Sequence, residues 1–205
     1  MLPQRINLIA YSTLAVIICY IDRVNISVAI IPMQEQFGWS DSQVGFIFSS
    51  FYLGYMLTMA LGGYLSDKFG GKRVLGWGVV LWSIFTILTP LAAHNGFFAL
   101  LFIRILMGIG EGVTFPAWHS LYARWIPFNE RTRAIAFTNS GVSIGTIIGY
   151  IGTQMIILAM GWEWAFYIFG IVGLVWFIFW NRNVTSYPNE HKRISAEELA
   201  YIQEN

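Results

Sequence analysis

The chain has 205 residues, of which 56% are hydrophobic and only 11% are charged. An ordinary globular protein is about one quarter charged, so this composition could not cover the surface of a soluble particle and excludes a soluble enzyme. The formal net charge of +1 excludes a surface built for polyanions, and nucleic acid is not an expected partner. A lipid bilayer is therefore the expected environment of the chain.

Six apolar stretches are each long enough to cross a bilayer as a helix, which takes about 20 residues. They are 7–31, 43–65, 74–93, 97–119, 134–158 and 163–181. None shows the alternating pattern of a transmembrane β-barrel strand. The first is too long for the core of a signal peptide, and no cleavage site of small residues follows it. The sequence predicts an all-α membrane protein, with residues 1–181 forming the helical bundle and residues 182–205 a polar cytoplasmic segment.

The distribution of Lys and Arg predicts the orientation of these spans. Ten of the 12 basic residues lie outside the spans, in segments that alternate with connections containing none. They are Arg5, Lys68, Lys72, Arg73, Arg124, Arg131, Arg133, Arg182, Lys192 and Arg193. Basic residues mark the cytoplasmic side, so both termini are predicted to be cytoplasmic. Short termini without a sorting segment suggest a bacterial inner membrane.

Two helix starts carry capping signals. Ser40 or Asp41 precedes the second span, and Ser195 stands three residues before Glu198, which is the spacing of a capping box. The second signal predicts a short surface helix in the polar segment. The chain has no recognisable metal-ligand cluster, phosphate-binding glycine loop or nucleophile with its base, so we expect no metal and no cofactor.

Four charged residues lie inside predicted spans, where each costs about 2.5–3.5 kcal/mol to insert. Asp22 and Arg23 belong to the first span, and Arg104 and Glu111 to the fourth. They either neutralise one another between two helices or line a transport path, and the two interpretations are compatible. At a rise of about 1.5 Å per residue, Asp22 and Arg104 lie about 10–14 Å below the outer surface and can meet. Glu111 lies about 10 Å deeper, which predicts one charged track along a cavity.

The chemistry of these side chains predicts an anionic substrate. Arginine stays charged and presents a planar fork that matches a carboxylate, so Arg23 in a cavity predicts a carboxylate-bearing ligand. Asp22 and Glu111 can take up and release protons as their arginine contacts form and break. Tyr20, Tyr52 and Tyr55 can supply hydroxyl donors, although core or interfacial tyrosines are common. His119 is expected to be a packed, neutral histidine rather than a proton carrier.

Glycine spacing indicates close helix packing. Gly141, Gly145 and Gly149 recur every four residues, as do Gly108 and Gly112. Small residues at this spacing let two helices approach closely in a membrane. We favour tight packing alone over a functional role as the explanation of the pattern.

The connection between the second and third spans resembles the cytoplasmic signature of the major facilitator superfamily. It reads "GGYLSDKFGGKRV" over residues 62–74, with Gly63, Asp67, Gly70 and Arg73 at the expected spacing and Gly71 where a basic residue is usual. In that family the segment forms a tight turn and a conformational latch. "RILMGIGEG", residues 104–112, resembles the family's fourth-helix motif, which places an arginine in the cavity.

Three further segments are similar to a narrower branch, the anion:cation symporter family. They are "YIDRVNISVAI" (20–30), "GEGVTFPAWHSLYARWIPFNER" (110–131) and "EHKRISAEELAYI" (190–202). The branch includes sialin, vesicular glutamate carriers, and bacterial galactonate and hexuronate transporters. Its members are two-lobed carriers of twelve helices that work by alternating access, and many move organic anions with protons.

The resemblance implies roles for particular residues. Asp22 and Glu111 take the proton-coupling positions, and Arg23 takes the position that binds the substrate carboxylate. Tyr55 is implied as a substrate contact, and Tyr20 is a second candidate for substrate binding from the residues alone. Arg104 would be the switchable partner of the acids, and His119 corresponds to a histidine of the fourth helix. Met59 and Leu61 replace a glutamine and a proline that are common in the branch, so substrate identity cannot be transferred from any one member.

The resemblance also implies that the six spans form one lobe, built as an inverted repeat of three helices plus three. Either the chain is the amino-terminal half of a longer carrier, ending in its central linker, or two copies pair; we favour the first. The leading function is proton-coupled symport of organic anions such as sugar acids. The alternatives are an anion exchanger or exporter of another branch, and a non-transporting membrane module that needs a partner.

Overall fold

The computed structural model describes residues 3–204, and all regular structure within that range is helical. Six segments have the length and apolar composition of membrane-spanning helices, as predicted. The elements are α1 (Gln4–Phe37), α2 (Asp41–Phe69), α3 (Gly71–Asn95), α4 (Phe97–Gly112), α5 (Thr114–Trp125), α6 (Phe128–Met160), α7 (Trp162–Asn183), a 3-10 turn (Pro188–Glu190) and α8 (Ala196–Glu204). Residues 1, 2 and 205 lie outside this description.

The helices are longer than the predicted spans. α1 has 34 residues and is therefore about 51 Å long, whereas the hydrocarbon core of a bilayer is about 30 Å thick. The apolar stretches of the sequence correspond to the membrane-embedded parts, while the polar residues at both ends continue the same helix into the interface.

The fourth span consists of two helices, α4 and α5, which meet at Val113. Pro116 explains the break, because proline has no N–H to donate to the carbonyl of the preceding turn and its ring crowds that turn. The hydrogen-bond ladder resumes with the N–H of Ala117, which donates to the carbonyl of Val113 at 3.0 Å.

The predicted helix caps are present in different forms. The Ser40 hydroxyl accepts from the N–H of Gln43 and the Gln43 side chain accepts from the N–H of Ser40, which completes a capping box at the start of α2. Ser195 caps α8 by accepting from the N–H of Glu198 at 3.1 Å. The Glu198 carboxylate does not close a second box. It accepts instead from the backbone N–H groups of Gln4 (2.9 Å) and Arg5 (3.0 Å), at the start of α1.

The contacts between the spanning helices follow a pseudo-two-fold pattern that relates the first three spans to the last three. α1 packs along α6 and α2 packs along α4, so the first span meets the fifth and the second meets the fourth. Exchanging the first three spans with the last three, in order, converts one of these pairs into the other. The same exchange converts the α3–α4 contact into the α1–α7 contact and leaves the α3–α7 contact unchanged. The bundle is therefore an inverted repeat of three helices plus three.

Glycines permit the closest of these contacts. A Cβ on Gly108 of α4 would collide with the backbone of α2 at Phe51, and a Cβ on Gly54 of α2 would collide with α4 at Ile105. The predicted glycines of α6 act in the same way, because a Cβ on Gly141 would lie 3.0 Å from the Thr13 carbonyl oxygen of α1. Backbone-to-backbone contact at both crossings holds α2 closely against α4 and α6 closely against α1.

One end of the bundle, which we call the basic end, gathers residues from distant parts of the chain. There Arg5 contacts Glu198, Lys72 donates to the Asn181 carbonyl, and Arg124 lies near Asp67. Large aromatic side chains fill the core beneath this end and include Trp118, Tyr122, Trp125 and Trp180. Because the number of spans is even, α1 begins and α7 ends at this same end.

Candidate functional site

An ion pair between α1 and α4 lies at the centre of the candidate site. The Arg23 guanidinium donates to Glu111 Oε2 through Nη2 at 2.9 Å and through Nε at 3.1 Å. The Glu111 side chain is fully buried, while that of Arg23 is 16% exposed. Both donors meet the same carboxylate oxygen, and Oε1 accepts no hydrogen bond from residues 3–204. The ion pair is therefore formed, although one oxygen of the Glu111 carboxylate accepts no hydrogen bond from the described residues.

Aromatic rings from α1 and α2 surround the Arg23 guanidinium. Its central carbon lies 4.8 Å from the ring centroid of Tyr20, 4.7 Å from that of Tyr55 and 5.3 Å from that of Phe51. A cation at these distances is attracted to the ring face, by about 0.5–1 kcal/mol at exposed sites and more when desolvated. The two tyrosines that the sequence suggested as substrate contacts thus lie beside the arginine, and both are half-buried.

Asp22 belongs to a different cluster from its neighbour Arg23. Its side chain is fully buried, and Oδ2 accepts from the indole N–H of Trp82 on α3 at 3.1 Å. Adjacent residues of a helix point about 100° apart, so Asp22 faces α3 while Arg23 faces α4. Trp82 was not anticipated from the sequence, in which it is one tryptophan among nine.

Arg104 is buried without a carboxylate partner. Its Nη1 lies 3.7 Å from Met107 Sδ, its guanidinium carbon lies 4.9 Å from the Phe51 ring centroid, and Nε has no hydrogen-bond partner within residues 3–204. The predicted meeting of Asp22 and Arg104 is not seen in this structure: Asp22 Oδ2 accepts from Trp82, and Oδ1 has no hydrogen-bond partner within residues 3–204. The single charged track is accordingly divided between Asp22–Trp82 and Arg23–Glu111.

Cys19 joins the ion pair from one turn earlier on α1. Its thiol donates to Glu111 Oε2 at 3.3 Å, and Arg23 Nη2 lies 3.8 Å from Sγ. The spacing of four residues between Cys19 and Arg23 places both on one face of α1. That spacing was visible in the sequence and could have identified Cys19 as a neighbour of the pair.

His119 lies on α5, beyond the break in the fourth span. Its Nδ1 lies 2.7 Å from the Phe115 carbonyl oxygen of the same helix, and its ring stacks on Trp118 with centroids 3.7 Å apart. The ring is exposed rather than packed in the core. Its polar contact is to its own helix and not to Glu111.

The latch residues lie at the basic end. Gly70 ends α2 with φ of +86°, a conformation that glycine adopts without strain. Asp67 Oδ1 lies 3.7 Å from Arg124 Nη2 at the end of α5, a partner that the sequence did not suggest, and Arg73 is exposed. Gly63 lies within α2, where an added Cβ would meet open space; the close contact is made by Gly62 against Pro116, at 3.0 Å. Gly63 therefore takes part in no turn.

The hydrogen bond from Trp82 to Asp22 yields a stability prediction. Trp82→Phe keeps the aromatic bulk but leaves a buried carboxylate without its donor, so we expect a loss of about 1–3 kcal/mol in the free energy of unfolding. Trp77→Phe on the same helix is the matched control, because the Trp77 side chain is 65% exposed and so contributes little to the packed core. Titration with SDS in mixed detergent micelles measures the free energy of unfolding of both variants. Equal losses in the two variants would show that the indole N–H of Trp82 contributes nothing.

A six-helix inverted repeat with ionisable side chains buried between its helices defines a membrane transport protein. Among residues 3–204 there is no cluster of three or more His, Cys, Asp or Glu that could hold a metal ion. Residues 12–202 match the Major Facilitator Superfamily, and the chain belongs to that family. It is a transporter-family protein and not an enzyme.

Curated relatives from plants are anion transporters, as the narrower resemblance predicted. The chain is 46% identical over 200 residues to "Probable anion transporter 4, chloroplastic" of Oryza sativa subsp. japonica, covering 98% of this chain and 34% of that protein. It is 45% identical over 200 residues to "Ascorbate transporter, chloroplastic" of Arabidopsis thaliana, covering 98% and 37%. It is 43% identical over 203 residues to "Sodium-dependent phosphate transport protein 1, chloroplastic" of the same plant, covering 99% and 40%. The chain thus spans less than half the length of these relatives.

Solved transporters share the fold. A bacterial homologue of the human lysosomal transporter Spinster, inward-facing and unoccupied, superposes with a TM-score of 0.77 at 25% identity, over 92% of this chain and 44% of that one. The proton:xylose symporter XylE, bound to 6-bromo-6-deoxy-D-glucose, gives 0.80 at 20% identity, over 97% and 49%. In each case the six-helix bundle corresponds to about half of a carrier.

Proposed function

We propose that the chain forms one lobe of a carrier that moves organic anions across a membrane by alternating access. The observation that carries this proposal is the Arg23–Glu111 pair, a cation held in a half-buried aromatic setting by a single carboxylate oxygen. The names of the plant relatives, which mention anions, ascorbate and phosphate, support an anionic substrate. The other wall of a transport cavity beside this pair would come from a second lobe, joined through the segment that follows α7, or from a second copy of the chain.

In this proposal the substrate competes with Glu111 for Arg23. A substrate carboxylate can engage the guanidinium fork through two oxygens, whereas Glu111 engages it through one. Tyr20 and Tyr55 flank the guanidinium and would contact the bound anion. Binding therefore opens the pair without leaving the arginine unpaired.

Release of Glu111 supplies the coupling to protons. A buried carboxylate that loses its cation is costly in a low-dielectric interior, and it escapes that cost by taking up a proton. Asp22, buried against Trp82 with one oxygen unpartnered, would be the second proton site. Arg104, which has no carboxylate partner among the described residues in this conformation, would pair with Asp22 or Glu111 in another conformation of the carrier. His119, on α5, would take part in the same coupling near the entrance of the transport cavity. The carrier would therefore move the anion and protons in the same direction, as a symporter.

The latch and the linker complete the proposed carrier. The contact between Asp67 and Arg124 ties the end of α2 to the end of α5, and its opening would accompany a change of state. Gly70 and Arg73 would shape the adjoining turn, and residues after 183 would lead to the second lobe.

The relatives favour a plastid membrane over the bacterial inner membrane suggested by the short termini, since the names of the relatives cited above place them in chloroplasts. We propose a chloroplast-type membrane for the full carrier. A fluorescent fusion of the full-length protein in plant cells tests this, and labelling of another membrane alone would refute it.

Arg23→Lys in proteoliposomes of the full-length carrier tests the anion site. Lysine keeps the charge but lacks the planar fork, so we expect sugar-acid and ascorbate uptake to fall at least about tenfold, equivalent to about 1.4 kcal/mol. Arg133→Lys, an exposed arginine on α6, is the matched control and should transport normally. Unchanged uptake by Arg23→Lys would contradict the proposal. Imposing a proton gradient or a sodium gradient separately identifies the coupling ion. Movement of the anion in the direction opposite to the coupling ion would instead indicate an exchanger or exporter.

A further inference from the structure

A cavity within the described residues lies away from the Arg23–Glu111 pair, at the basic end of the bundle. It has a volume of about 710 Å³ and lies between the start of α1, the start of α3, the end of α7 and the segment that follows α7. Four basic side chains and one acidic side chain line it: Lys72, Arg182, Lys192, Arg193 and Glu190. The wall therefore carries a surplus of positive charge.

Hydrogen bonds between distant segments fix the wall of this cavity. Lys72 Nζ donates to the Asn181 carbonyl at 3.0 Å, and Asn183 Nδ2 donates to the Tyr11 hydroxyl at 3.0 Å. A ring nitrogen of His191 lies 3.1 Å from the Asn183 carbonyl oxygen, which ties the linker to the end of α7. These hydrogen bonds thus hold the end of α7 and the segment that follows it against α1 and α3.

The cations of the wall are largely uncompensated. Across residues 3–204 the side chains of Arg182, Lys192 and Arg193 form no hydrogen bond and no ion pair. Elsewhere at the same end of the bundle, Arg5 and Arg124 each have a carboxylate neighbour. Three unpaired cations around a fixed cavity are suited to an anion with several acceptor oxygens, and a phosphate group has that chemistry.

An aromatic pocket adjoins the charged cavity. Its volume is about 350 Å³, and it shares Lys72, Asn181 and Glu190 with the larger cavity. Trp77 and Phe177 line it, and the Trp77 side chain, in the second turn of α3, is 65% exposed. A charged cavity beside one exposed and one partly buried aromatic ring, at the end of two apolar spans, matches the boundary between lipid headgroups and acyl chains.

We propose that this cavity binds the phosphate of an anionic ligand and that an anionic phospholipid supplies it, with the headgroup among the basic side chains and its glycerol and upper acyl chains along Trp77 and Phe177. The site is separate from the proposed transport cavity and does not depend on the proposed function. A lipid held there would join α3, α7 and the linker.

Thermal unfolding of the purified chain in detergent tests the site. At a saturating concentration, phosphatidylglycerol should raise the melting temperature by at least about 5 °C, and phosphatidylcholine, which has no net charge, should raise it by less than half as much. The variant Arg182→Gln/Lys192→Gln should lose most of the phosphatidylglycerol effect. Its control is Lys68→Gln/Arg133→Gln, which removes the same charges outside the cavity and should retain the effect.

The outcomes separate three cases. Loss of the shift in the cavity variant alone supports the lipid site. A shift with inorganic phosphate that the cavity variant also loses would keep the site and assign it to a soluble phosphate. Equal shifts in the two double variants, or equal shifts with the two lipids, would mean general attraction to a charged micelle and would overturn the proposal. Both variants alter exposed side chains without hydrogen bonds to the cavity wall, so both are expected to fold.

Discussion

Glu111→Ala is expected to lower the free energy of unfolding by about 3–5 kcal/mol, because it strands a mostly buried guanidinium without its carboxylate. The loss includes the hydrogen bonds from both Arg23 nitrogens and from the Cys19 thiol, all of which end on the same oxygen. Titration with SDS in mixed micelles measures the change on the chain itself.

A double variant distinguishes a stranded charge from a simple cavity. Arg23→Met combined with Glu111→Ala removes the unpaired cation, so it should be more stable than Glu111→Ala alone. Glu163→Ala is the control for loss of a carboxylate, since the side chain of Glu163 is 30% exposed and its neighbour His94 is half-exposed. That variant should change stability by less than about 1 kcal/mol. A double variant no more stable than Glu111→Ala would contradict the unpaired-charge explanation.

Gly54→Ala should destabilise the bundle by about 3 kcal/mol or more, because its methyl group would enter the backbone of α4. A Cβ at Gly54 meets main-chain atoms of Ile105 and Ile109, which cannot rotate away as a side chain can. α2 and α4 would have to separate along their whole contact. The free energy of unfolding and the melting temperature in detergent both report this change.

Gly63→Ala on the same helix is the matched control. A Cβ there has no neighbour within 4 Å, and alanine favours helix over glycine by about 1 kcal/mol. We therefore expect Gly63→Ala to be neutral or slightly stabilising, although the sequence signature singled out Gly63. If the two substitutions had similar effects, the close contact at Gly54 would not be a determinant of packing.

Local chemistry made the spans and their ends predictable. Length of apolar runs located six helices, and Ser40 and Ser195 marked two helix starts. The spacing of Gly108 and Gly112 indicated a close helix contact, which is the α2–α4 crossing. The absence of a Cβ matters only where another backbone comes close. These features depend on a residue and its near neighbours in the chain.

The partners of the buried charges were not predictable in the same way. Asp22 and Arg23 differ by one position, yet one reaches α3 and the other α4, and only the packing angles of three helices decide which. Trp82 carried no local signal, because an indole N–H gains a role only when a buried acceptor lies opposite. Counting residues along a span predicts the depth of Arg104 but not its rotation about the helix axis.

The cap at the start of α1 has a consequence for the order of assembly. The N–H groups of Gln4 and Arg5 are both satisfied by Glu198, a residue separated from them by more than 190 positions in the chain. These two N–H groups cannot reach this acceptor until residue 198 has been synthesised, and before then water can satisfy them. Among the six spanning helices of residues 3–204, α1 comes first in the sequence, yet the cap at its start is completed only after α8 has been synthesised.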